Sequence, residues 1–325
     1  MIQSSDYIKH ISTLAFSLDV VDEAKQKSLT QAFVMPKIKQ IMLDLSRMRD
    51  NFDQAFYKKH EPEIRAKKQK NIYGHVDVLD YPIGFCQLIR DGLFDQFIQL
   101  DSIKQLRQQG VICKKVYIIL DDRYFQNAIQ LGNLLIDVAN DTANPNEAQI
   151  YGKPLDEINY DNFYSYEKYF KIAEKYLNLK FYPNKLLPQI SEIYPVFSLS
   201  ADGVCNLFLH QEIILYKDIS KNFKLSEDLK QSTYFKDRIL PEPYIPYIKK
   251  LDIEVAMGGI KNIVNRYFAD NNPTVKEYLG ELLHHEIEFN MRQLGLIFAL
   301  SVKPPSAFMI QKMKAEKLIP QTYSK

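Results

Sequence analysis

The run Lys115-Val116-Tyr117-Ile118-Ile119-Leu120 is β-branched and apolar and stops abruptly at Asp121-Asp122. Such a run is a strand, and a strand this apolar needs other elements to cover it. Leu134-Leu135-Ile136-Asp137-Val138 is a second candidate strand, closing in the turn-rich Asn140-Asp141-Thr142-Ala143-Asn144-Pro145-Asn146. The chain must therefore build a sheet, and the cover has to come from its helices.

Helical periodicity is plain on the N-terminal side. Tyr7, Ile11, Leu14, Leu18 and Val21 recur at steps of three and four, as do Ile38, Ile41, Leu45, Met48, Phe52 and Phe56. These predict an N-terminal helical pair, with Pro36 in a first turn, where its missing N–H is not needed. Residues 72–79 alternate like a strand, Pro82-Ile83-Gly84 interrupts, and a helix follows through Ile98. Residues 159–178 predict another helix, with Asn159 or Asp161 as cap and Phe163, Tyr166, Phe170, Ala173 and Leu177 on its packed face. Val196–Leu199 and Val204–Leu209 flank Asp202-Gly203 and predict a hairpin, and Ile213–Tyr216 suggests one more strand.

Three prolines in six residues, Pro241, Pro243 and Pro246, remove donors and fix φ. Residues 241–247 are accordingly expected as a linker, between a core of residues 1–240 and a C-terminal helical segment, 248–325, docked on it. Helices are expected at 248–268 and 274–301. The fold expected is α+β, or an irregular α/β: a helical pair, a central mixed sheet with packed helices, and a C-terminal helical segment.

Charge narrows the partners. Forty-two Lys and Arg against forty Asp and Glu leave +2, so no global field favours nucleic acid or an anionic membrane. The basic run Lys58, Lys59, Arg65, Lys67, Lys68 and Lys70 is interrupted by Glu61 and Glu63 and reads as a solvated helix end. The longest apolar stretch, Leu294 to Val302, is too short to span a bilayer, and the first residues lack the pattern of a secretory signal. A cytoplasmic location is expected, with secretion by a specialised machine left open. Cys86, Cys113 and Cys205 are odd in number and lie in apolar surroundings, which suits reduced thiols packed as small hydrophobes.

No phosphate-cradling glycine loop, Gly-x-Ser-x-Gly elbow, His-Glu-x-x-His or Cys-x-x-Cys is present. Three looser constellations remain. His75-x-Asp77 with His210 matches the donor set of a non-haem iron oxygenase, since period-two spacing puts both ligands of the first pair on one side of a strand. The same pattern recurs at His210-x-Glu212 and His284-x-Glu286, so it is unspecific. Asp121 and Asp122, with Asp137 and Asp141, could offer hard oxygen ligands to Mg²⁺ at the end of a strand or could simply be turn and cap residues. Along 274–301 a stripe of Glu286, Asn290 and Gln293, edged by His285, runs down the apolar face, and a carboxylate so placed needs a polar partner. Glu281-x-x-His284 has di-iron spacing but falls on the polar side of that helix, and no second copy exists.

Two functions follow as expectations. One is an enzyme acting on a small polar substrate, with Glu286, Asp121 and Asp122 as catalytic groups. Its substrate would be held by His285, Asn290 and Gln293, and a divalent metal, Fe or Mg²⁺, would bind at His75, Asp77 and His210. The other is a non-catalytic partner-binding protein, of the kind bacteria secrete as effectors. It would use some of the twenty-one tyrosines in a chain without Trp, because Tyr gives large contact area at low entropic cost.

Overall fold

A computed structural model describes residue 13 and residues 15–66, 78–188, 191, 194–208, 212–221, 223–249, 301–302 and 307–321. The chain groups into two compact units, Ser17–Asn162 and a unit made of Met1–Phe16 with Phe163–Lys325. The fold is α+β, and every strand pairing among the described residues is antiparallel. Where the sequence suggests one mixed sheet, the strands divide between two antiparallel ones. The short β1–β2, β2–β3 and β7–β8 turns account for those three pairings, because a parallel pair would need a long crossover between its strands.

In the unit Ser17–Asn162, α1 (Ala24–Leu29) leads through a π-helical turn (Thr30–Val34) and a 3₁₀ turn containing Pro36 into the long helix α2 (Ile38–Arg65). Helices α3 (Cys86–Phe97) and α4 (Asp101–Gln108) follow, then strands β1 (Cys113–Leu120), β2 (Tyr124–Leu131), β3 (Leu134–Asp137), β4 (Tyr151–Pro154) and β5 (Tyr160–Asp161). The sheet order is β4-β3-β2-β1-β5.

Period-two alternation gives this sheet two apolar faces. Ile129, Leu131, Leu134 and Ile136 join Ile41, Leu45, Ile89, Leu93 and Phe97 in one core with the helices. Val116, Ile118, Ala128 and Leu135 form a second core with Val20 and Leu155. Helices α2 and α3 come close because Gly92 has no Cβ: one built there would lie 2.3 Å from Phe52 Cε2.

Leu18 and Val21, expected on a helix, are not helical. The sheet claims this stretch instead. Tyr117 N–H donates to Leu18 O at 2.9 Å, and the Gln130 amide accepts from Val21 N–H and donates to Val21 O, at 2.9 and 2.6 Å. Tyr7, Ile11 and Leu14 lie outside the described residues, as does the strand expected at 72–79 up to residue 77; Val78–Asp80 is a 3₁₀ turn.

The second unit contains α5 (Tyr166–Tyr176), β6 (Leu179–Pro183), β7 (Val196–Ser200), β8 (Cys205–Phe208), α6 (Glu212–Ser220), α7 (Lys224–Gln231), α8 (Ile245–Lys249), β9 (Ser301–Val302) and α9 (Ala307–Ala315). Its sheet order is β6-β7-β8-β9. The β7–β8 hairpin turns on Asp202-Gly203 as expected, with Gly203 at φ 77°. Helix α5 starts later than expected. Asn159 lies in a loop, Asp161 belongs to β5, and the cap is Ser165, whose side chain accepts from Lys168 N–H. Phe163, Tyr166, Phe170 and Ala173 are buried, whereas Leu177 is exposed.

The strand expected at Ile213–Tyr216 is the middle of α6; a four-residue apolar run does not separate the two states by itself. The proline-rich stretch lies within the second unit as a 3₁₀ turn (Glu242–Tyr244) that runs directly into α8. Pro246 is tolerated there because it occupies the first helical turn. Tyr244 is buried and donates to Gly203 O at 2.5 Å. Residues 250–300, which carry most of the helices expected at 248–268 and 274–301, lie outside the described residues; Ile248 and Lys249 belong to α8 and Ser301 is in β9. Among the described residues no helix is long and apolar enough to cross a membrane.

Candidate functional site

Helix α2 buries Ile41, Leu45, Arg49, Phe56 and His60 on one stripe. A guanidinium in that stripe has to be paired, since an unpaired buried charge is very costly. Arg49 is fully buried, and all of its donor nitrogens are engaged. Nη1 and Nη2 grip the two Asp141 oxygens, both at 2.9 Å, Nη1 also reaches Val138 O at 3.0 Å, and Nε donates to Asp53 at 2.7 Å. Tyr81 donates its hydroxyl to the same Asp53 oxygen, and the Gln149 amide donates to the other at 3.1 Å. Burial works against the Arg49 charge, but the hydrogen bonds to Asp141 and Asp53 outweigh it and hold its pKa above the ordinary arginine value. The Tyr81 hydroxyl is pushed well up by burial and by its bond to Asp53. This cluster fixes the loop after β3 against α2.

Beside it stands a less satisfied group. Asp137 ends β3, where its carboxylate accepts from Ala139 N–H at 2.8 Å and from the Gln126 side chain. Burial pushes its pKa up to about 7 in spite of those bonds. A carboxylate so raised can both accept and return a proton near neutrality.

Cys86 is the first residue of α3, preceded by Phe85, whose side chain cannot cap the helix. The free N–H groups and the dipole of a helix start favour negative charge. The Asn127 amide donates to the Cys86 sulfur at 3.3 Å, the Gln87 backbone N–H also bonds it, and Arg90 and Asp137 reach it through their charges. Burial is the largest influence and raises the thiol pKa, while the Asn127 and Gln87 bonds oppose it. Cys205 has burial alone to shift it, and both it and Cys113 are pushed up to about 12. Cys86 is thus the cysteine that sits among groups able to stabilise a thiolate.

Of the residues singled out in the sequence, Asp121 and Asp122 form the β1–β2 turn. Both are exposed and both have φ near +50° (52° and 53°). Arg123 N–H closes the turn on Leu120 O at 3.0 Å. Asp is one of the few residues that tolerate this conformation, which accounts for the pair. Asp141 is gripped by Arg49 and Asp137 is turned to Ala139 and Gln126, so the four carboxylates are not gathered. Among the described residues no three His, Cys, Asp or Glu are grouped so as to hold a metal ion. His75, Asp77, His210, Glu286, His285, Asn290 and Gln293 lie outside the described residues.

Arg49 and Asn127 are not among the residues the sequence singled out, and Cys86 is there only as a packed, reduced thiol. Arg49 had a signal, since it stands four residues after Leu45 in an apolar stripe. Cys86 also had one: it follows Pro82-Ile83-Gly84 at the start of a helix. Asn127 had none, because its partner is 41 residues away in the chain. Comparison of the chain with protein-family models, with curated proteins and with solved structures gives no match.

Proposed function

We propose that the unit Ser17–Asn162 is an enzyme domain acting on a small polar substrate, with Cys86 as nucleophile toward an acyl carbon and Asp137 as the proton carrier. The observation that supports this reading is the position of the Cys86 sulfur at a helix start, under the Asn127 amide and within the field of Asp137. A nucleophile, a polarising donor and a proton carrier of suitable pKa are the parts acyl transfer requires.

In the first step the sulfur bonds to the acyl carbon and the bond to the leaving group breaks. The thiol proton passes to Asp137 and from there to the leaving group, leaving an acyl thioester on Cys86. A water or another acceptor then takes the acyl group and restores the thiol. A working thiol suits a reducing compartment, in keeping with a cytoplasmic location.

The test is exposure to p-nitrophenyl acetate, read by intact mass and peptide mapping. One acetyl group is expected on Cys86, absent in Cys86→Ser and formed more slowly in Asp137→Asn. Equal acetylation of Cys86→Ser would refute the assignment. Iron at His75, Asp77 and His210, and a polar substrate face at Glu286, His285, Asn290 and Gln293, stand as separate proposals. Elemental analysis and alanine variants at those positions test them.

A second reading, a partner-binding surface, draws on Ile239, just before the proline-rich stretch, and Tyr247, at its end, which are 73% and 50% exposed. It predicts that Ile239→Glu weakens capture of a partner while leaving Cys86 acetylation intact.

A further inference from the structure

The groups in hydrogen-bonding contact with the Cys86 sulfur are the Asn127 side-chain amide and the Gln87 backbone N–H, and an amide cannot take up a proton near neutrality. Asn127 lies on β2 directly opposite Tyr117 of β1 and is 5% exposed, so strand pairing holds its Cα in place. The other groups whose charge reaches the sulfur are Arg90, one turn along α3, and Asp137 from the end of β3. Arg90 is itself tied up: its Nη1 donates to Val116 O at 2.9 Å, and its Nη2 lies 2.8 Å from Asp91. Arg90 can attract a thiolate but cannot remove the proton, and no direct bond joins Asp137 to the sulfur.

We propose that Asn127 is a positioning residue that sets the reactivity of Cys86. Its N–H is aimed to stabilise the thiolate once formed, and it fills the place from which a base in direct contact would draw the proton. Cys86 therefore rests as a thiol and is charged only when its proton is carried away to Asp137. This rests on the reading of Cys86 as the nucleophile, but its test does not use turnover. Burial of the sulfur agrees with a resting thiol, since it raises the thiol pKa.

The experiment is the rate of carbamidomethylation of Cys86 by iodoacetamide, resolved by peptide mass spectrometry between pH 6 and 10, in wild type, Asn127→His and Asn127→Ala. Thermal melting of each variant checks its fold. The wild-type rate should climb only on the alkaline side. An imidazole in contact with the thiol forms an ion pair, so Asn127→His should react about tenfold faster or more at pH 7 and flatten above it. Asn127→Ala loses the donor and should react about tenfold more slowly at pH 8.

A profile of folded Asn127→His that overlays the wild type would overturn the proposal. So would an unchanged rate in Asn127→Ala, which decides the matter alone if the histidine variant does not fold. These outcomes are separate from failure of the acetylation test, because a thiol can be tuned by Asn127 whether or not it transfers acyl groups.

Discussion

At the scale of single residues, the buried Arg49, shared between Asp53 and Asp141, is the charge on which the unit Ser17–Asn162 most depends. Removing Asp141 would leave both Nη groups of the fully buried Arg49 without a carboxylate, with Asp53 alone still paired to Nε. Asp141→Ala is therefore expected to cost about 3 kcal/mol in urea unfolding, the low end for a broken buried pair because Asp53 still compensates part of the charge, whereas the double variant Arg49→Met/Asp141→Leu should recover part of that loss. If the double variant is as unstable as the single one, the cost lies in packing and not in stranded charge. Asp137 carries a different signature. Its folded pKa, about 7, is above that of an unfolded aspartate, so the folded state holds its proton longer than the unfolded state does. Its contribution is fully present below about pH 4 and is lost as pH rises toward 7, by an upper limit of ~4 kcal/mol. Stability measured from pH 4 to 8 should fall in wild type relative to Asp137→Asn across this window and run parallel above it. Parallel curves throughout would mean that Asp137 is ionised like any exposed carboxylate.

At the scale of elements, turn chemistry decides how the five-stranded sheet is laid out. Gly132, between β2 and β3, has φ 60°, and a Cβ there would lie 2.1 Å from the Thr30 hydroxyl oxygen. That hydroxyl accepts from Asn133 N–H at 2.6 Å and donates to Gln26 O at 2.7 Å, so it has no room to give way. Gly132→Ala should cost more than ~2 kcal/mol, combining left-handed strain with a lost contact. The β1–β2 turn should respond in the opposite sense. Replacing Asp121-Asp122 by Asn-Gly is expected to raise stability by roughly 1 kcal/mol, because that pair suits two successive left-handed residues best. A drop instead would point to a binding role for the carboxylates.

These elements also show what the sequence made legible. Strands β1 and β3, helix α2 and the β7–β8 hairpin each announced themselves by a local pattern of apolar residues and turn chemistry. Strand β2 did not, because Gln126, Asn127 and Gln130 are buried polar residues whose partners are Val21, Gly132, Cys86 and Asp137, and such pairing leaves no trace in periodicity. The candidate site is assembled from the same long-range contacts. Its carboxylate was marked in the sequence as one of four, but neither its burial nor its neighbours could be read there.

At the scale of the whole molecule, both apolar cores of the five-stranded sheet and the full set of Arg49 partners fall inside Ser17–Asn162. A polypeptide of those residues alone is expected to keep its near-ultraviolet dichroism and the alkylation profile of Cys86; loss of both would show that the remainder of the chain is needed for folding. The two ends of this stretch are fastened together. Asn162 accepts from Val20 N–H at 2.9 Å and returns a bond to Val20 O at 3.3 Å. A stretch whose ends meet in this way interrupts its host as a parenthesis interrupts a sentence. During synthesis Met1–Phe16 leaves the ribosome ahead of the inner stretch, yet the residues it groups with come only after Asn162. Domains tend to fold as units while the chain is still growing, so the inner unit can close and clamp its own ends before the outer one has the material to form.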